Sequence, residues 1–566
     1  SNGTNGFGDL IMSNGMMDVT GIEIADARAT RAEMYVYNAT CIVNRTSASA
    51  LNVGDQSFST GLLVVADSRA LIVVTNGTGI ALGGQTANPG NSNAYGRVDL
   101  SGGTLWVRGF RLAYGPGCSA DTVIGHGTLV NRADTGIIVA QGLNSRATLI
   151  MSETDSLIDA TNTASSSPMI VGNATGSVGT VIMSNGVMKL SRLVVGNQGL
   201  GVVTLENQSA VTISDNIYLP NNATGAGLGT GVLVLASGAA TLTATSGTIS
   251  VGASWTGGKA GVGRLIVSNG TVRTRIMNVG VASDGLVTVL DGSILQGSSS
   301  SAEGLKIGTS SEGGTGTVVL AHANALVSLP SNMLVFGTTA NAPGQLVISN
   351  GAMVVLGVQM GGTAVTHSNS VSDILIEDGR LSTIQGTFSC GVGNQTTARV
   401  LLNHGNALLS HTNGTINLGS GTNSRGSLVV STGTVLTRGV NMGGNTAGSP
   451  PGQYGEWIIH NATNLLRGQG PGTAIWMAGQ PNCTGLMVLA HAGAYVDTTN
   501  NVLVGDLGDG TLQVSNGLLV AENVTMASQT GSVGRMEMAG GRVRVGGTLT
   551  VGNRSSANVR MTGGEL

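Results

Sequence analysis

The sequence predicts an all-β protein: a single-stranded right-handed parallel β-helix (β-solenoid) with three short strands per coil and about twenty coils. Three observations predict it. The 566 residues include 91 glycines and 41% apolar residues, but only 3% aromatic and 10% charged ones. The apolar residues fall in short runs of period two. The tripeptide Ser-Asn-Gly closes such runs again and again, at Met12–Gly15, Met183–Gly186, Val267–Gly270, Ile348–Gly351 and Val514–Gly517. Period two marks a strand with one buried face. Glycine placed after each run marks a sharp bend.

The first strand opens on a glycine. Counting from Gly179, Val181 and Met183 follow at two and four, and the corner Gly186 falls at seven. The second strand carries Met188 and Leu190, the third Leu193 and Val195, and Gly196 closes the coil. The same frame starts at Gly8, Gly263, Gly344 and Gly510, with corners at Gly15, Gly270, Gly351 and Gly517 and with Ala527 in a closing position. Closing positions are usually 24 to 32 residues apart. Asn-Gly commonly marks a hairpin, but these runs come in threes at constant spacing, which a simple hairpin does not need. The corners are therefore read as stacked corners of a parallel coil, with asparagine free to hydrogen-bond along the stack. At ~4.8 Å per coil, about twenty coils make a rod of roughly 95 Å. Leu10, Val181 and Leu512 are expected in its central column, and the aromatic shortage suggests a narrow interior of aliphatic side chains.

The segment after each closing glycine varies most. It is long at Gly83–Gly96, Gly252–Gly263 and Gly443–Gly455, and these loops carry Tyr95, Trp255 and Tyr454. Insertions in solenoids gather on one face, so these three aromatics are the candidate ligand-binding residues; surface insertion without function is the competing reading. Residues 1–566 read as one continuous solenoid, with 103–172 its least regular coils. Neither end shows a cap, so the chain is expected to be a window of a longer repetitive protein, or its ends to be covered by neighbouring subunits.

Net charge is −3 with no Lys/Arg cluster, which leaves a nucleic-acid partner without an electrostatic footprint. No apolar run approaches the ~20 residues of a membrane-spanning helix. Cys41 and Cys390 occupy apolar strand positions and are expected to be buried thiols. Cys118 and Cys483 fall in loops about a dozen coils apart, on the order of 60 Å, too far to bridge. Neither metal nor cofactor is indicated: the seven histidines lack ligand spacing, and Asp506 and Asp509 occur once where a calcium β-roll would repeat. His322, His404, His460 and His491 fall at or beside first corners. Gly125-His126-Gly127 matches an element of polygalacturonases, but the aspartates that glycoside hydrolysis needs are missing.

The frame G-x-L-x-V-S-N-G…L-x-V-G resembles the autotransporter-associated β-strand repeats and related passenger-domain repeats of very large bacterial surface proteins. The resemblance covers nearly the whole chain and implies an extracellular or cell-surface β-helix. The expected function is non-enzymatic: a stalk, fibre or adhesin rod that associates with itself, end to end or laterally, or with cell-surface glycans. A carbohydrate-active β-helix enzyme and a glycan-binding module using the long loops are the alternatives.

Overall fold

The computed structural model describes residues 5–566 apart from 46–48, 78, 85–91, 133–134, 162–167, 222–228, 254–260, 297–302, 310–313, 363–367, 445–450 and 467–471. Among the described residues there are fifty strands and no helix. The fold is a parallel β-solenoid. By internal contacts the chain divides into two units: 1–277 with 282–287 and 292–298, and 278–281 with 288–291 and 299–566.

In the first unit, Val178–Met183 pairs in parallel with Arg146–Met151 on one side and Leu200–Leu205 on the other. The strand that follows its Asn-Gly, Val187–Leu190, pairs instead with Leu157–Ala160 and Ala210–Ile213. The Asn-Gly is thus a corner within one coil and makes no hairpin. One inner column runs Leu10, Met34, Leu63, Val98, Thr122, Leu149, Val181, Val203, Leu233, Leu265. A second runs Met17, Cys41, Ile72, Leu105, Leu129, Ile158, Met188, Val211, Leu242. Aliphatic side chains stack because equivalent positions in successive coils lie one strand spacing apart. The strands within 103–172 keep this register.

Val181 is fully buried, whereas Leu10 keeps the register but is 41% exposed, because its strand is laddered on one side only. In the second unit the matching column runs Val318, Leu346, Ile374, Val400, Leu428, Trp457, Met487, Leu512, Met536, Val559. Leu512 is fully buried, and so is Trp457, which heads the ranking of fully buried side chains by volume. A column of small aliphatics was expected; an indole is accommodated between Leu428 and Met487. Strands are also longer here than the runs of about five residues read from the sequence: Thr397–Leu418 and Arg425–Met442 continue through their corners, where the pairing shifts register.

The glycines that open and close the coils also stack. Gly179, Gly201, Gly231 and Gly263 stand in one column. The closing residue takes a left-handed backbone: φ is +76° at Gly196, and alanine adopts the same region at Ala25, Ala113, Ala140, Ala478 and Ala527. A Cβ on Gly196 would lie 2.1 Å from the Thr230 carbonyl oxygen, so here backbone approaches backbone too closely for a side chain.

A third bend follows the closing residue. Four residues on, the backbone is again left-handed, as at Ala29, Phe58, Asn144, Asn423 and Asn482. The next side chain turns back onto that bend. The hydroxyls of Ser145, Ser177, Ser424 and Ser532 donate to the carbonyls of Gly142, Ala174, Gly421 and Gln529 at 2.6–2.7 Å, adding a second donor to carbonyls that already accept the same serine's N–H at 3.0–3.3 Å. Cys118 and Cys483 occupy this same position, each directed at the carbonyl of a proline two residues earlier at 3.6 Å. They are buried corner residues and do not sit on open loops. All four cysteines are buried, and none is joined in a disulfide. Burial pushes the Cys41 thiol up to about 11, and the Cys390 thiol well above its usual range.

Candidate functional site

The outward side of the first strands carries the candidate aromatics. Tyr95 is the first residue of Tyr95–Leu100 and Tyr454 the first of Tyr454–Leu466. Both immediately precede the opening glycine, so they belong to strands and are not loop residues. The Tyr95 hydroxyl donates to Asp121 Oδ2 at 2.8 Å, one coil on. Burial, helped by that carboxylate, raises its pKa to about 12. Around it, Arg31, Glu33, Thr60, Leu62 and Arg97 line a shallow cavity of about 190 Å³.

The Tyr454 hydroxyl donates to Glu456 Oε2 at 3.0 Å, and the Arg425 guanidinium lies 4.7 Å from the ring centroid while bonding Glu456 at 3.1 Å. Arg31, Glu33 and Tyr35 repeat that grouping, with the Tyr35 hydroxyl 2.5 Å from Glu33 Oε2. Tyr–carboxylate–Arg sets on a flat, half-exposed sheet face present an aromatic edge and fixed charges, the chemistry of a polar-ligand surface. Trp255, and most of the three long segments, lie outside the described residues.

The corner glycines are placed as bends. The backbone is left-handed at Gly15 (φ +132°), Gly186 (+89°), Gly270 (+97°), Gly351 (+91°) and Gly517 (+94°). A Cβ on Gly186 would lie 2.2 Å from Ser156 Oγ, in the coil beneath. The asparagine before the glycine acts both locally and between coils. Asn269, Asn350 and Asn516 each accept from the following glycine N–H at 2.9–3.0 Å, whereas Asn185 donates to the Ser152 carbonyl in the coil beneath at 2.8 Å and Asn38 bonds Asn14 across coils.

At the same corners, His126 pairs with Asp155 at 2.9 Å, His322 with Asp291 and His404 with Asp378 at 3.0 Å, all exposed. The His460 and His491 rings stand 5.5 Å apart; His367 lies outside the described residues. His126 of the Gly-His-Gly element thus meets one aspartate at the surface. Asp506 accepts from the Ser528 hydroxyl of the next coil. Among the described residues no group of three or more His, Cys, Asp or Glu is set to hold a metal ion, and no helix is long and apolar enough to cross a membrane.

One titratable group was missed because it follows no motif. His411 is fully buried, with Nδ1 2.5 Å from Thr383 Oγ1 and Nε2 without a partner. It stands in a column with Thr383 and Thr437. Burial depresses its pKa from 6.5 to about 4. The unfolded chain therefore binds the proton first as pH falls. Stability supplied by the neutral ring is complete above pH 6.5 and is lost between 6.5 and 4, on the order of 3 kcal/mol at 1.36 kcal/mol per unit. Acid unfolding of the wild type and His411→Leu, compared over that window, should show a shallower pH slope in the variant; equal slopes would contradict a buried neutral imidazole.

Comparison with family models, with curated proteins and with solved structures returns no match to this chain.

Proposed function

We propose that this chain is a non-enzymatic structural protein that works outside the cell, as a surface stalk, fibre or adhesin rod. In this reading residues 1–566 wind as one right-handed β-helix with three strands per coil and about twenty coils, and the rod itself is the functional part. The observation that carries the reading is the residue-for-residue parallel ladder, with aliphatic columns inside and repeated corners outside. A ladder of this kind makes length by repetition, which suits a spacer better than a concave reaction centre. The resemblance of the repeat frame to passenger-domain repeats supports placement at the cell surface. Partners would be further copies of the chain, end to end or laterally, or surface glycans.

Electron microscopy of the purified chain tests this. Narrow particles of roughly 95 Å, set by ~4.8 Å per coil and joining into longer or parallel arrays, are the expected result. Isolated compact particles, together with cleavage of a polysaccharide by the same preparation, would replace the structural reading with an enzymatic one.

A further inference from the structure

A group of polar side chains in the first unit is left unexplained by a structural role. Ile24 pairs with Val53, so Asp26 and Asp55, each two residues further on, occupy equivalent places in adjacent coils. The Asp55 N–H donates to the Ala25 carbonyl at 3.3 Å, which holds the two turns together. Asp55 is 1% exposed and its Oδ1 has no partner. Three residues earlier, Asn52 is also 1% exposed, and neither its Oδ1 nor its Nδ2 has a partner. Asn52 stacks on Glu23, which Arg45 bonds at 3.0 Å. Burial first, then hydrogen bonding and repulsion from Asp26, push the Asp55 carboxyl up to about 7, with Glu23 adding to the rise and Arg45 opposing it.

Two stacked carboxylates and a buried amide with no partner are an unbalanced arrangement. Buried acceptors ordinarily find donors, and neighbouring carboxylates repel unless a proton or a cation lies between them. Position explains why the group is not merely a packing accident in this repeat. The residue after the closing glycine is Gly84 in the next coil and asparagine at Asn173 and Asn197, so successive acids are specific to Asp26 and Asp55 within this stretch. Hard divalent cations take oxygen ligands from carboxylates, side-chain amides, backbone carbonyls and water.

We propose that Asp26, Asp55 and Asn52 bind a divalent cation of the calcium type, with Glu23 contributing negative charge at the outer side. Two carboxylates are few for such a site, so the affinity belongs with weak extracellular modules, roughly 10⁻⁴ to 10⁻³ M. The cation would cross-link two adjacent coils.

Hydrogen exchange of the full chain, in EDTA and with calcium chloride at ten times the dissociation constant found by calorimetry, tests this. Exchange across residues 51–59 should slow about tenfold with calcium, following the ratio of ligand to dissociation constant. Asp55→Asn should abolish the response and exchange more slowly than wild type in EDTA, and Asn52→Ala should weaken calcium binding about tenfold. Wild-type exchange and calorimetry unaffected by calcium, or a calcium response surviving in Asp55→Asn, would overturn the proposal; the first outcome would leave a proton-sharing carboxyl pair. None of these results depends on whether the chain forms rods.

Discussion

Replacing Gly196 with alanine should destabilise the first unit by roughly 3 kcal/mol. The left-handed backbone alone does not account for this, since Ala140 adopts φ +61° at the equivalent place. That conformation costs an alanine about 1–2 kcal/mol. The difference at Gly196 is steric: an added Cβ would stand 2.1 Å from the Thr230 oxygen, 2.3 Å from its carbon and 2.6 Å from the Gly231 nitrogen. All three are backbone atoms at the start of the Thr230–Leu235 strand, and no rotamer relieves the contact. The coils must separate or slide, and the hydrogen bond from the Gly196 N–H to the Val171 carbonyl is strained with them. Chemical denaturation, with hydrogen exchange to localise the change, would measure this. Ala140→Gly is the control and should stay within about 1 kcal/mol of wild type; equal effects at the two sites would refute the steric account.

Trp457→Ala should cost the second unit about 3–5 kcal/mol, the range for emptying a large buried aromatic site. The indole is fully buried between Leu428 and Met487 in the inner column. In a solenoid each coil contacts only its neighbours, so the cavity would weaken both adjoining interfaces. The indole N–H has no partner, so an apolar replacement forfeits no hydrogen bond. Trp457→Leu should therefore retain at least half of what alanine loses. Urea unfolding midpoints of the three proteins decide it; a leucine variant as weak as the alanine one would mean that the N–H contributes after all.

Much of this architecture is legible in the sequence, because a two-residue period and a glycine at seven constrain both which face is buried and where the chain bends. Val181 and Leu512 were placed inside on that basis and are there. Trp457 sits two residues after Gly455, a frame position that points inward, yet the scarcity of aromatics argued for aliphatics throughout. Composition averages over coils, whereas packing is decided coil by coil.

The third bend is hard to read in the sequence for a related reason. The segments after the closing glycine differ in length, and that variation hides a constant position. A hydroxyl or thiol five residues after the closing position recurs at Ser59, Cys118, Ser145, Ser177, Ser424, Cys483 and Ser532. Tyr95 and Tyr454 were assigned to loops because the long insertions precede them, while their side chains in fact begin strands. His411 and Asp55 could not have been singled out from sequence alone, since burial, not spacing, makes them unusual.

The hydroxyl bond that closes the bend at Ser145, Ser177, Ser424 and Ser532 lies within its own four-residue span. Nothing in that bond refers to the particular coil before or after. A gene encoding such turns can gain or lose a whole period without leaving its neighbours an unfinished corner. Overall reach then becomes a quantity that recombination can adjust in increments, while the chemistry of each remaining layer stays as it was.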